Sequence, residues 1–220
     1  MDVAEALSEI RALARPGGIE GMLRYGITPR TELLGTRLTD LRLLARRIGR
    51  DHDLALGLWE AGMHEARLLA ALVADPARVD EALMERWVAG FDSWDVCDVV
   101  CGNLFDRTPI AHAKALEWSA RDEEFVKRAG FATMASLAVH DKGARDAAFT
   151  PFLRAVQREA DDDRNFVKKG ASWALRQIGK RNPSLQARAI ETAKRIGERG
   201  TRAARWISRD ALRELEGRSA

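Results

Sequence analysis

A chain of 220 residues is long enough to bury a sizeable core, and 46% apolar with 31% charged residues mark it as soluble and globular rather than disordered. Thirty-six Lys and Arg oppose 33 Asp and Glu, and a net charge of +3 implies no partner by itself. Two cysteines, Cys97 and Cys101, exclude a disulfide scaffold and a four-cysteine zinc ribbon, while the absence of a signal-like N-terminus or an uncharged apolar span points to the cytoplasm and to no membrane partner.

Ala, Leu, Arg and Glu crowd the chain, and no alternating Val/Ile/Thr run is bounded by turn residues, so an all-α fold is expected. Helical periodicity begins at Val3–Leu13 and stops at Pro16-Gly17-Gly18. Leu41, Leu44, Ala45 and Ile48 mark the next stripe, which ends at Gly49. Residues 54–60 and 64–73 read as an antiparallel helix pair broken at Gly62 and closed by Asp75-Pro76. Residues 81–88 follow, and Asp92, with Asp95 three positions on, reads as an N-cap with an acidic first turn. Stretches 122–138, 149–160, 165–180, 184–196 and 202–215 complete the series.

Many short helices with short connections suggest stacked helix pairs forming one domain over residues 1–220. The run Phe125-Val-Lys-Arg-Ala-Gly-Phe131 aligns with Phe166-Val-Lys-Lys-Gly-Ala-Ser172 at an offset of 41, within the range of HEAT or armadillo units. Such a solenoid is curved, and its concave face is the usual binding surface.

The small net charge hides an asymmetry. Residues 75–98 carry seven acids against Arg78 and Arg86, a local charge of −5. Residues 164–209 carry thirteen bases, among them Lys168, Lys169, Arg176, Lys180 and Arg181, against only Glu191 and Glu198, a local charge of +11. A tract so basic suits a polyanion with many phosphate contacts; the alternative is a solvated face balanced by acids elsewhere. Trp94 and Asp98 are four residues apart and share a helix face, either as an exposed pair or as a core Trp beside an ordinary helix charge. Arg128 and Trp173 sit in the two matching units, each with a basic pair (Lys127-Arg128, Lys168-Lys169) beside aromatic residues, an interleaving that suits phosphates and bases; Arg128 could equally be a structural partner for a carboxylate.

Three runs together carry a resemblance: Asp92-Ser-Trp-Asp-Val-Cys-Asp98, Phe125-Val-Lys-Arg-Ala129, and Phe166-Val-Lys-Lys169 followed by Trp173-Ala-Leu-Arg-Gln-Ile-Gly-Lys-Arg-Asn182. From about Tyr25 to Trp206 the chain resembles the DNA alkylation repair family, whose best-known members are the AlkD-like HEAT-repeat DNA glycosylases. The resemblance implies an α-α superhelix with a concave basic face for double-stranded DNA. It implies a monomer that hydrolyses the N-glycosidic bond of alkylated purines such as 3-methyladenine and 7-methylguanine, without metal or cofactor. It further implies that Trp94, Asp98 and Trp173 line the lesion nucleotide and that Arg128 contacts the DNA beside it. Tyr25 and Arg37 join the expected DNA-contacting set. Gly35-Thr36-Arg37 departs from the pattern, offering Arg37 where the glycosylases have a Gln, and this motivates a second expectation of a non-catalytic protein that binds DNA structures.

Other features read as packing. Cys97 and Cys101 are i,i+4 and are expected to be buried, Trp59, Trp87, Trp118 and Trp206 fall on apolar stripes, and His64-Glu65 is no H-E-x-x-H motif because position 68 is Leu. Gly170 is expected to serve helix packing, and Asp161-Asp162-Asp163 to cap the basic helix that follows.

Overall fold

The computed structural model describes residues 1–217; among them are thirteen α-helices and no strand. The helices form two compact units, divided after Thr108, with residues 109–217 in the second.

The first unit holds α1 (Val3–Ala12), α2 (Pro16–Arg24), α3 (Leu38–Ile48), α4 (His52–Glu60), α5 (His64–Val73), α6 (Glu81–Ala89) and α7 (Trp94–Asn103). Reciprocal bonds between Asp2 and Glu5 cap α1, which buries Ala6 and Ile10. The turn between α4 and α5 passes through Gly62 at φ +73°, as the expected break requires. Trp59 and Trp87 stack with ring centroids 4.2 Å apart, Phe91 and Phe105 lie against them, and Arg67 sits 5.3 Å over Trp59.

Helix α2 is a correction to the sequence reading, which ended structure at Pro16-Gly17-Gly18. Pro16 occupies the first helical position, where its missing N–H costs nothing. The backbone then closes on the loop before α3: Arg15 N–H donates to the Leu34 carbonyl at 2.8 Å, and a Cβ at Gly18 would stand 2.6 Å from the Gly35 oxygen. Tertiary contact here overrides a weak helix propensity.

The second unit holds α8 (Ala111–Ser119), α9 (Glu124–His140), α10 (Thr150–Arg158), α11 (Asn165–Gly179), α12 (Pro183–Glu198) and α13 (Arg202–Glu216). Helix α9 is buried continuously from Val126 to Ala138 and is the axis about which α8 and α11 pack. The two runs matched at an offset of 41 are the first turns of α9 and α11, and Phe125 stacks on Phe166 with centroids 5.6 Å apart. They are therefore successive units of one helical stack. Gly170 serves packing as expected, its missing Cβ facing Phe131 and Arg128 of α9.

Candidate nucleic-acid interface

In the first unit, Trp94 and Asp98 both lie half-buried on α7 and line one cavity of about 1120 Å³, together with Tyr25 and Arg37. Its apolar wall comes from Met22, Ile27, Leu38, Leu68 and Val99. The two residues therefore lie between the exposed-pair and the core readings, half-covered at the cavity wall. The indole Nε1–H of Trp94 donates to the Tyr25 carbonyl at 3.0 Å, which fixes the plane of the ring. The Tyr25 side chain itself is 77% exposed at the cavity rim.

The start of α7 is built differently from the expected Asp92 cap. Ser93 is the N-cap residue, and Asp92 instead accepts from the Arg30 amide at 2.9 Å and pairs with Arg67 at 3.6 Å. Ser93 Oγ donates to Asp95, whose other oxygen lies 2.9 Å from Nε2 of the buried His64 on α5. Burial alone would raise the Asp95 carboxyl, but the His64 and Ser93 hydrogen bonds outweigh it and hold the group below the ordinary carboxylate value. This pairing locks the first turn of α7 onto α5, and so fixes where Trp94 and Asp98 point.

A second anchor sets Arg37. Glu65 is fully buried, and its Oε1 accepts from the amides of Leu34 at 2.9 Å and Thr36 at 3.4 Å. Between them Gly35 adopts φ +73°, and a Cβ there would stand 2.3 Å from the Arg15 carbonyl, so no other residue fits. Arg37 follows at once, exposed, as the N-cap residue of α3. Sequence reasoning placed Asp95 in an acidic first turn, where it lies, but missed its pairing with His64 and the anchoring by Glu65. Their partners lie about thirty residues away, and the only local signal was a polar residue on an otherwise apolar stripe.

In the second unit, Trp173 is half-buried on α11, packed against the core. With the Gln177 amide turned to satisfy its neighbours, its oxygen accepts from Trp173 Nε1 at 3.1 Å and from Lys180 Nζ at 3.2 Å. Arg128 is only 6% exposed, and its Nη1 donates to the Phe166 carbonyl at 2.7 Å, joining α9 to the first turn of α11.

The basic tract needs the larger correction. Lys127 is not a surface cation: its side chain is 8% exposed, 2.7 Å from Glu159 and 3.4 Å from Asp162. Burial works to raise the Glu159 carboxyl, and Lys127 with Arg158 more than reverses it. Arg181 also serves the fold, donating to the Ala138 and Ala144 carbonyls with its guanidinium 4.2 Å over Phe149. Arg176 and Lys180 share Glu214, and Lys168 pairs with Asp163 at 3.1 Å. Asp161, Asp162 and Asp163 do not cap α11 with a side-chain bond; they pair with Arg199, Arg164 and Arg202. The +11 window ran between acids at both of its ends. Widening it to residues 161–216 adds six acids and Arg213, and the local charge falls to +6. Lys169 stays exposed, with no ion pair among the described residues.

The family model of the DNA alkylation repair enzymes matches residues 6–215. Two uncharacterized Listeria proteins are similar over 194 residues: Lin0241 of Listeria innocua at 22% identity and Lmo0209 of Listeria monocytogenes at 21%, each over 87% of this chain and 84% of its own length. A solved structure from a family related to the HEAT-like repeat DNA glycosylases, with affinity for branched DNA structures, superposes with a TM-score of 0.78 at 22% identity, covering 89% of this chain and 83% of its own. That likeness makes the stacked helix pairs HEAT-like repeats. With the match running from α1 to α13, the chain belongs to the DNA alkylation repair enzyme family.

Proposed function

We propose that the protein is a DNA glycosylase that acts as a monomer on N3- or N7-alkylated purines in duplex DNA, the opening step of base-excision repair of alkylation damage. The observation that carries this reading is the placing of Trp94 and Asp98, one turn apart on a helix whose start is locked, at the wall of an open cavity. An N3- or N7-alkylated purine bears a positive charge. As the C1′–N bond breaks, its electron pair passes to the base, which leaves neutral, and the sugar takes on oxocarbenium character. The Asp98 carboxylate stabilises that charge and orients a water, whose oxygen bonds to C1′ while its proton passes to the carboxylate or to solvent. The π face of Trp94 attracts the cationic base by about 0.5–2 kcal/mol. Tyr25 and Arg37 are assigned to the DNA beside it, and the exposed Lys169 to the phosphate backbone of the duplex; Arg128, buried and bonded to the Phe166 carbonyl, is left to the fold. Nothing in this chemistry calls for a metal or a cofactor.

The test is release of free base from a duplex carrying one 7-methylguanine. Asp98→Asn is expected to lower the single-turnover rate about 10²–10³-fold, the usual effect of removing one preorganised electrostatic group, with duplex affinity nearly intact. Normal excision by Asp98→Asn would remove Asp98 from the chemistry.

A second reading rests on Arg37 and on the affinity for branched DNA of the related solved structure's family: a DNA-structure binder without turnover. Absence of base release by the wild type, together with salt-sensitive binding of a four-way junction, selects it. Arg37→Gln is then the next substitution.

A further inference from the structure

A second basin adjoins the cavity within the first unit. It encloses about 450 Å³ and is walled by four arginines, Arg42, Arg46, Arg50 and Arg107, with Asn103 between them. That is roughly fifteen water volumes, room for a phosphate with part of its sugar rather than one ordered water. Arg42 and Arg46 stand one turn apart on α3, and Arg50 follows past Gly49, whose φ of +78° ends the helix. Arg107 comes from the 3₁₀ turn Phe105–Arg107 after α7.

Like charges one turn apart destabilise a helix, and the fold gives these no compensation. No carboxylate lines the basin, and among the described residues Arg42, Arg46 and Arg107 make no ion pair. Arg50 has only the Ala74 carbonyl at 3.4 Å and Asp75 at 3.9 Å. Neighbouring arginines outside the basin are answered: Arg47 by Glu9 at 2.9 Å and Arg15 by Asp40 at 3.1 Å. Guanidinium groups that converge without acids present their planar donor forks to an oxyanion.

We propose that this basin is a phosphate site that grips a phosphodiester of the DNA strand lying over the cavity. The proposal rests on the duplex-DNA reading above. Arg42 and Asn103 line both the cavity and the basin, so the two are continuous. Asn103 ends the helix that Trp94 begins, and ten residues of α-helix span about 15 Å. At 3.4 Å per base-pair step, the grip falls about four steps from the nucleotide beside Trp94. A phosphate held there carries no sequence information; it sets the register in which the duplex meets Asp98.

The test measures duplex affinity against salt concentration for the wild type, for the double variant Arg46→Ala/Arg107→Ala, and for Arg154→Glu, which makes the same change in net charge at an exposed position of α10. Thermal unfolding of all three checks the fold. The double variant is expected to lose at least tenfold in affinity at low salt and about 1–2 in the log–log salt slope, at roughly 0.9 per phosphate contact. Arg154→Glu is expected to lose less than threefold. A double variant that binds no worse than Arg154→Glu overturns the proposal. If the wild type binds no duplex, the duplex reading fails on its own, and inorganic pyrophosphate titrated into the protein judges the basin. Saturable binding lost in the double variant then keeps it as a site for a small free phosphate, and no binding overturns it.

Discussion

Two glycines in the second unit should respond oppositely to alanine. A Cβ at Gly130 on α9 would stand 2.4 Å from the Ser119 amide nitrogen and 2.8 Å from the Ala115 carbonyl oxygen. Both are backbone atoms of α8, so no side chain can swing away, and the helices must part by about 1 Å to reach ordinary contact. Such overpacking costs about 3 kcal/mol at its upper end, and the gain of Ala over Gly in a helix offsets about 1. The net loss for Gly130→Ala is therefore about 2 kcal/mol, a fall in Tm of about 4–8 °C for a chain of this size. A Cβ at Gly170 on α11 meets Phe131 Cβ, which its own backbone fixes, at 3.3 Å and Arg128 Cγ at 3.6 Å, so α9 and α11 need part by only a few tenths of an ångström. Gly170→Ala should keep most of its propensity gain and melt as high as the wild type or up to about 3 °C higher. Thermal and urea unfolding followed by far-UV circular dichroism measure both. A Gly130→Ala protein as stable as the wild type would refute the reasoning, since it would mean that α8 and α9 approach without mutual constraint.

Lys127→Ala should destabilise by roughly 2 kcal/mol or more, because it strips a buried ion pair, even though Arg158 and Arg164 remain beside its two carboxylates. Lys169→Ala should leave stability unchanged and weaken duplex binding about equally for every sequence; urea midpoints and salt titrations of the pair separate the two kinds of lysine. The Asp95 carboxyl, depressed in the fold, contributes stability that is present above its unfolded value of 3.8 and is lost as pH falls through the lower folded value. Unfolding midpoints between pH 5 and pH 2 should therefore fall less steeply in Asp95→Asn than in the wild type.

Helix boundaries were readable wherever the chain marks its own breaks. The α4–α5 pair is such a case, because Gly62 supplies a left-handed backbone that the flanking periodicity alone does not require. Helix α2 was not readable, since what holds Pro16-Gly17-Gly18 helical is a loop sixteen residues on. Helix α8 escaped for a related reason: Lys114 interrupts its apolar stripe yet is 3% exposed, paired with Glu117 at 2.7 Å and lying 5.6 Å over Trp118. The candidate site divides along the same line. Trp94 and Asp98 could be paired by i,i+4 spacing alone. Lys127 and Lys169 look alike in sequence, and only the fold decides that one faces Glu159 and the other solvent.

The bond from the Trp94 indole to the Tyr25 carbonyl takes up the one donor of that side chain. On the proposed reading, Trp94 then meets a purine only with its ring face, which cannot tell one pattern of edge donors and acceptors from another. Selection falls instead to the chemistry of the damage, because a base enters the reaction when alkylation has already weakened its bond to the sugar. Such an enzyme trades discrimination for breadth: intact purines are spared by their own reluctance to leave, and lesions of unlike shape are accepted if they share a positive charge.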